Sequence, residues 1–142
     1  MVNSTKVEGL IFTLREYLTH LQDLGRLDKS EVLADPYKVG AARYYLQVSI
    51  ECCLDIANHV IASERFRSPS TYRETFKILH EVGIIPDDFL PTLQLMASMR
   101  NRLVHLYSEI DDHIVFDALQ TAPSDCERFV QLILNYTQTS TD

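Results

Sequence analysis

An eight-residue segment that begins at Arg100 and reads Arg-Asn-Arg-Leu-Val-His-Leu-Tyr contains the residue types that phosphate chemistry uses. Arginine carries a permanent charge and a planar fork of N–H donors that match phosphate oxygens. Histidine exchanges a proton near neutral pH. Arg100 and His105 are therefore candidates to cleave a phosphodiester, with Asn101, Arg102 and Tyr107 beside them.

RNA cleavage fits these residue types because RNA supplies its own nucleophile, the 2′-hydroxyl. His105 suits the general base or acid that moves a proton, and Arg100 suits the non-bridging phosphate oxygens of the transition state. Arg102 can add a phosphate contact, while Asn101 can hold His105 in one tautomer or position the phosphate. A plainer alternative stays open, in which these cations only complement the dipole at a helix C-terminus.

No metal-binding or nucleotide-binding motif accompanies this segment. The sequence contains no His-Glu-x-x-His, no Cys-x-x-Cys and no phosphate-binding glycine loop, so we expect neither a metal nor a cofactor. Asp111, Asp112 and His113 are adjacent, but a solvated turn at the start of a helix explains them better than a metal site. The predicted reaction is therefore independent of metal.

Helical spacing separates the two candidate catalytic groups. At about 100° per residue, Arg100 and His105 lie about 140° apart around a helix, whereas Arg100 and Tyr107 lie about 20° apart. Arg100 and His105 thus do not converge on one substrate from a straight, isolated helix. The spacing predicts either a bend near Val104 or a second copy of the chain that completes the site.

Hydrophobic periodicity predicts an all-α chain, folded as an antiparallel up-and-down bundle of four main helices plus a short one. Apolar residues recur at spacings of three and four, and glycine or proline marks the breaks. The predicted helices cover about 4–24, 36–63 and 71–82, a segment from the N-cap candidates Asp87 and Asp88 to about 107, and 116–137. Residues 26–36 are predicted to be a polar connection, and residues 138–142 a frayed tail.

Length and composition favour one domain that spans residues 1–142, with enough chain to bury a core. No apolar run has the length of a membrane span, and the amino terminus lacks the apolar core of a signal peptide. Three cysteines, two of them adjacent, argue against a disulfide framework and for a reducing cytoplasm. The net charge of −7 disfavours a general nucleic-acid coat, so any RNA contact must use a local cationic site.

The spacing Arg, four residues, His, one residue, Tyr resembles the signature of the HEPN superfamily and, within it, of HepT-type toxins. The asparagine directly after the arginine matches that form, and the segment from Arg43 to Asn58 resembles the long second helix of the family. The resemblance implies a helical bundle and a metal-independent endoribonuclease in which Arg100 and His105 are catalytic. It also implies a homodimer, because in HEPN ribonucleases the motifs of two protomers meet in one composite cleft.

The same resemblance implies the toxin of a type VII-like toxin–antitoxin module. The usual partner is an MNT-type nucleotidyltransferase antitoxin, which transfers AMP onto the motif tyrosine, here Tyr107. A bulky anion on the face shared with Arg100 would block the cleft and neutralise its cations. The resemblance also implies an RNA substrate, either a tRNA or an mRNA.

A second polar cluster lies in the middle of the long second helix, at Asp55, Asn58 and His59. Asp55 and His59 are four residues apart and can pair on one helical face. The cluster is a secondary candidate to line the cleft. A buried, satisfied pair and a polar stripe at a dimer contact explain it equally well.

Two functions of other classes remain open. The bundle can serve as a non-catalytic helical subunit of a nucleotidyltransferase complex, in which Arg100 and His105 hold a nucleotide or a phosphate. It can also be a structural adaptor, for which replacement of either residue changes no activity. A nuclease assay in the presence of EDTA separates cleavage from binding alone.

Overall fold

The computed structural model describes residues 2–140. This part of the chain contains six α-helices and no β-strand. The predicted all-α fold class is therefore confirmed. The helices are α1 (Ser4–Gly25), α2 (Lys29–Leu33), α3 (Pro36–Ser63), α4 (Tyr72–Glu81), α5 (Leu90–His105) and α6 (Asp112–Ser140).

Helix α1 runs antiparallel to both α3 and α6. Its start meets the end of α3, where the backbone N–H of Asn3 donates to Nε2 of His59 at 3.2 Å. Its end meets the first half of α6, where the side chain of Gln120 donates to the carbonyl of Gly25 at 2.9 Å. The apolar stripe of α1 is buried between these two helices, at Val7, Ile11, Leu14, Leu18 and Leu21.

Helix α5 runs back along α3, and its last turn lies near the middle of that helix. Arg100 near the end of α5 contacts Glu51 of α3, and Arg43, two turns earlier in α3, reaches the backbone just beyond α5. The four long helices α1, α3, α5 and α6 therefore alternate in direction. This is the antiparallel up-and-down bundle that the periodicity predicts.

Helix α3 is the centre of the bundle and contacts each of the other five helices. It begins as predicted, because Pro36 occupies its first turn and the side chain of Asp35 accepts from the backbone N–H of Tyr37 at 2.9 Å. Its 28 residues give a length of about 42 Å at 1.5 Å per residue. A helix of this length carries site residues from Arg43 to Asn58 on one rigid support.

The connection predicted over residues 26–36 contains a helix of five residues, α2, so that prediction is wrong in part. Val32 explains the helix, because it is 1% exposed and is packed in the core where α2 meets α3 and α6. Propensity alone does not stabilise so short a helix. Tertiary packing of one apolar side chain therefore decides the conformation here.

Three predicted helix ends move for identifiable reasons. Helix α5 starts at Leu90 without a side-chain cap, because Asp87 contacts His80 and Asp88 contacts Arg128 instead. Helix α6 starts four residues earlier than predicted, and the side chain of Asp111 accepts from the backbone N–H two residues later. The tail predicted to fray from residue 138 is helical through Ser140, and residues 141–142 lie outside the described residues.

None of the helices within residues 2–140 is both long and apolar enough to cross a membrane.

Candidate active site

The eight-residue segment spans the end of α5 and the turn that follows it. Helix α5 is continuous through His105, and the backbone N–H of Leu106 donates to the carbonyl of Arg102 at 2.9 Å. Tyr107 lies beyond the helix, so the predicted helical face shared by Arg100 and Tyr107 does not exist. The segment therefore divides into a helical part that ends at His105 and an irregular part that carries the tyrosine.

Arg100 is fixed by contacts with three elements. Its Nε donates to Oε1 of Glu51 on α3 at 3.1 Å, and its Nη1 donates to Oδ1 of Asn101 at 3.3 Å. The guanidinium carbon lies 4.7 Å from the centre of the Tyr72 ring at the start of α4, a cation–π distance. Gln47 donates to the same Glu51 oxygen at 3.1 Å, which holds the carboxylate in place. The Arg100 side chain is 16% exposed, and its Nη2 has no hydrogen-bond partner within residues 2–140.

His105, by contrast, is exposed, and its imidazole makes no hydrogen bond within the described part of the chain. Arg102 is likewise exposed, with no hydrogen bond from its guanidinium to residues 2–140. Tyr107 is 65% exposed and Leu106 is 46% exposed. The proton-transfer candidate and the tyrosine thus stand on the surface, open to a substrate or a partner, while Arg100 is held inside.

Asn101 contacts Arg100 and forms no hydrogen bond with His105. Its carbonyl oxygen accepts from Arg100, and its side chain lines a cavity with Asn58 and Thr75. The predicted role of Asn101 in holding the His105 tautomer has no hydrogen bond to support it. Its other predicted role, in positioning a phosphate near Arg100, agrees with these contacts.

Arg43 anchors the turn that carries Tyr107, a role that the sequence did not suggest. Its Nη1 donates to the carbonyl of Tyr107 at 2.7 Å, its Nη2 lies 3.5 Å from the carbonyl of Ile110, and its guanidinium pairs with Asp112 at 2.7 Å. The Arg43 side chain is 26% exposed, so these groups are partly shielded from water. In the sequence, the available signal for this role was a cation next to Ala42, which is buried. The partners of Arg43 could not be read from the sequence, because they lie more than 60 residues away in the chain.

Of the secondary candidates on α3, only Asn58 lies in the cavity beside the motif. Asp55 is exposed at the surface, but neighbouring atoms partly desolvate its carboxylate, and this desolvation followed by the charge of Glu51 raises its pKa. His59 accepts from the N–H of Asn3 and contacts Ser63, and burial followed by the charge of a nearby lysine lowers its pKa. The Asp55–His59 pair that the sequence allowed is not formed.

Two other sets of side chains that could do chemistry, the cysteines and the Asp111–His113 turn, make contacts that stabilise the fold. Cys53 and Cys126 are hydrogen-bonded inside the core, and this bond together with burial raises the pKa of the Cys53 thiol well above its usual value. Asp111 accepts from the backbone N–H of His113, as expected for a turn at the start of a helix. Within residues 2–140, no group of three or more His, Cys, Asp or Glu side chains is arranged to hold a metal ion.

A sequence model of the family described as "Ribonuclease HepT-like" matches residues 14–133, a range that includes Arg43, Asn58 and the whole segment 100–107. The chain belongs to the HepT-like ribonuclease family. The predicted resemblance to the family is therefore confirmed.

The chain is also similar in sequence to individual proteins named HepT. The chain is 33% identical over 88 residues to the "mRNA nuclease HepT" of Shewanella oneidensis, an alignment that covers 62% of this chain and 66% of that protein, slightly under two thirds of its length. It is 26% identical over 137 residues to the "tRNA nuclease HepT" of Aphanizomenon flos-aquae, covering 93% of each chain.

A solved HepT-like structure has the same fold. It is described as the tri-AMPylated Shewanella oneidensis HEPN toxin in complex with an MNT antitoxin. The TM-score is 0.83 at 27% sequence identity, and the match covers 91% of this chain and 96% of that one.

Proposed function

We propose that this HepT-like chain is a metal-independent endoribonuclease toxin whose active site forms between two copies of the chain. The division of the motif is the observation that carries the proposal. Arg100 is held against α3 and α4, while His105 is exposed and without a hydrogen-bond partner in the described chain. An exposed imidazole about 140° from the arginine around the helix fits a cleft that a second protomer completes.

Each group has a defined part in the reaction. The 2′-oxygen of RNA attacks phosphorus, the bond from phosphorus to the 5′-oxygen breaks, and the products are a 2′,3′-cyclic phosphate and a 5′-hydroxyl. His105 takes the proton from the 2′-hydroxyl or gives one to the leaving 5′-oxygen. Arg100 stabilises the non-bridging oxygens through Nη2, the part of its fork that protein atoms leave unused within residues 2–140. Exposed Arg102 adds a contact to a neighbouring phosphate.

Fixing Arg100 in advance favours catalysis. A preorganised donor that does not reorient during the reaction stabilises transition-state charge better than a mobile one. The pairing with Glu51 also keeps the guanidinium in place before RNA arrives. The net charge of −7 elsewhere limits non-specific adhesion to RNA, so affinity concentrates at this site.

Tyr107 is the proposed site of silencing by an MNT-type nucleotidyltransferase antitoxin. Its ring is 65% exposed, as a modifying enzyme requires, and Arg43 holds its backbone. AMP on this hydroxyl places an anion two residues from His105 in the chain. The bulk of the nucleotide then blocks the imidazole and its charge competes for the cations.

A nuclease assay tests the proposed reaction. The purified protein is incubated with an mRNA and with a tRNA in the presence of EDTA, since the two named relatives differ in their RNA. We expect cleavage that leaves 2′,3′-cyclic phosphate ends, and a much lower rate with His105→Ala. Binding of RNA without cleavage would instead support the non-catalytic nucleotide-binding subunit.

Intact mass tests the proposed silencing. After incubation with an MNT-type nucleotidyltransferase and ATP, we expect the mass of the protein to rise by one or more AMP units, with loss of nuclease activity. Tyr107→Phe should gain no AMP and should remain active. AMP addition at the same level on Tyr107→Phe would place the modification elsewhere.

A further inference from the structure

Unpaired positive charge is concentrated in one part of this acidic chain. Residues 65–105 contain six arginines and lysines against four aspartates and glutamates, whereas the rest of the chain contains seven against sixteen. Within residues 2–140, five arginines or lysines form no salt bridge, and four of these five lie between 65 and 105. The four are Arg65, Arg73, Lys77 and Arg102, and the fifth is Lys6.

The helices that carry these cations contain few acidic residues to pair with them. Helix α5 has no aspartate or glutamate, and the two glutamates of α4 both bind Arg67. Glu81 accepts from Arg67 with both of its oxygens, at 3.0 and 2.8 Å. This hydrogen bonding, and to a smaller extent the charge of Lys77, lowers the pKa of Glu81. Arg67 thus holds both carboxylates of α4, and the charges of Arg73 and Lys77 are left to a partner outside the described chain.

Three of the unpaired cations form a row across α4 and α5. Nη1 of Arg73 donates to Oγ of Ser98 at 2.9 Å, which packs the first turn of α4 on α5, one turn before Arg102. Helix α5 returns antiparallel to α4, because the end of α4 contacts the connection just before α5. Arg102 and Ser98 are four residues apart on one helical face, as are Arg73 and Lys77. The order is therefore Arg102, Arg73 and Lys77, over about 12 Å along the helix axes.

This row, which we call the cationic track, matches the backbone of a single nucleic-acid strand. All three side chains are exposed, and none forms an ion pair within residues 2–140. A strand carries a negative phosphate at every nucleotide, and cations that bind phosphates position the strand without reading its bases. One end of the track, Arg102, lies three residues before His105 in the chain. The track therefore leads from the proposed reaction site onto α4.

We propose that the cationic track binds successive backbone phosphates of the RNA on one side of the cleaved bond, without preference for a base. Arg102 contacts the phosphate nearest to the cleaved bond, and Arg73 and Lys77 contact phosphates further along the strand. The excess of acidic residues elsewhere repels the backbone, so the track directs the strand. This inference rests on the proposed function for the role of RNA, but binding of a strand can be measured without cleavage.

The binding test uses 2′-O-methyl RNA, which lacks the nucleophile, in strands of about ten nucleotides, a length that single-strand grooves cover. The double variant Arg73→Ala/Lys77→Ala should bind about fivefold to twentyfold more weakly at about 0.1 M salt by fluorescence anisotropy. The plot of log binding constant against log salt concentration should become shallower by about 1.4, since each phosphate contact of a single strand contributes ~0.7. Uridine and adenosine strands should lose the same factor. Wild-type affinity and slope in the double variant would overturn the proposal.

Two matched variants separate a local contact from an effect of net charge. Lys6→Ala/Arg26→Ala removes two positive charges from the ends of α1, which packs on α3 and α6, and should keep the wild-type slope. Arg73→Lys/Lys77→Arg keeps both charges of the track and should bind as the wild type does, because either side chain can contact a phosphate. Circular dichroism checks that each variant is folded. Equal losses in the α1 variant and the track variant would contradict the proposal.

Kinetics separate this inference from the proposed nuclease activity. Contacts away from the reacting atoms stabilise the ground state and the transition state equally, so Arg73→Ala/Lys77→Ala should raise KM for RNA and leave kcat within about twofold. If the wild type binds with the track-dependent slope but does not cleave, the nuclease proposal fails and the track stands. Cleavage by the double variant with the wild-type KM removes the track alone. Unchanged RNA binding with weaker binding of an MNT-type antitoxin would assign this surface to a protein and also remove the track.

Discussion

Arg100 and His105, within the eight-residue segment 100–107, differ in how many contacts the chain itself gives them. Arg100 at one end is 16% exposed and is held by Glu51, Asn101 and the Tyr72 ring. His105 at the other end, little more than one turn later, is exposed and has no hydrogen bond within residues 2–140. One chain thus fixes the arginine that we propose stabilises charge, but leaves the histidine that we propose transfers a proton without a partner.

This difference explains why a motif of eight residues needs a whole bundle. The arginine depends on α3 and α4, which the fold brings to the end of α5. His105 has no hydrogen bond within residues 2–140, and we propose that a second protomer and the RNA supply its contacts. Substitutions at the two ends should therefore fail in different ways.

The largest effect is expected at the open end. His105→Ala should lower the rate of RNA cleavage by about 10²- to 10⁴-fold, because general acid–base catalysis contributes that much. Since the side chain is exposed and unpaired within residues 2–140, thermal unfolding followed by circular dichroism should be unchanged. His113→Ala, at another exposed histidine on α6, is the matched control and should cleave normally. Full activity in a folded His105→Ala protein would remove the proposed mechanism.

At Arg100, a positive charge without the guanidinium geometry should not support the full rate of cleavage. Arg100→Lys keeps the cation but loses the fork that joins Glu51 and Asn101. Cleavage should fall by about 10²- to 10³-fold, the usual cost of removing one preorganised donor. Arg26→Lys, an exposed arginine at the end of α1, should have no effect on the cleavage rate. Similar rates for Arg100→Lys and the wild type would mean that the position of the charge is unimportant.

Arg43 should matter for the turn that follows His105 and for stability. Arg43→Ala removes charge-assisted hydrogen bonds to two carbonyls and to Asp112, and should lower the free energy of unfolding by about 1.5–3 kcal/mol. Arg15→Ala breaks a more exposed pair with Glu127 and should cost about 1 kcal/mol or less. Urea denaturation measures both. Equal losses would mean that burial of the Arg43 network adds nothing.

The smallest effect concerns the contact between the start of α1 and the end of α3. Burial lowers the pKa of His59 from its usual 6.5, so the folded state holds this side chain neutral, as its acceptance of the Asn3 N–H requires. The unfolded chain then binds the extra proton, and this contribution to stability is present above pH 6.5 and falls as the pH drops below it. The free energy of unfolding of His59→Gln should change less between pH 7 and pH 5 than that of the wild type. Parallel curves would contradict this assignment.

The sequence predicted the parts of the molecule that depend on neighbours in the chain. The helical stripes, the Asp35 and Pro36 start of α3 and the stop of α4 before Gly83 all follow from local rules, and all are observed. Residues 100–107 likewise identified the family. Periodicity and capping preferences are local properties, so a single chain is enough to find them.

Long-range contacts were not predictable in the same way. Helix α2 exists because Val32 fits the core, and Arg43 reaches a turn 64 residues later. The prediction that Arg100 and Tyr107 share a helical face was wrong, because α5 ends at His105. Only the packed structure shows that Asn101 contacts Arg100 and shares a cavity with Asn58.

Complementation between two inactive variants tests most directly whether the cleft is shared. Arg100→Ala and His105→Ala chains carrying different tags are co-expressed, and the mixed dimer is purified through both tags. In the mixed dimer, one chain supplies the only arginine and the other the only histidine. We predict that it cleaves RNA well above either parent dimer. A mixed dimer as inactive as its parents would place Arg100 and His105 of one chain in the same site and contradict the composite cleft.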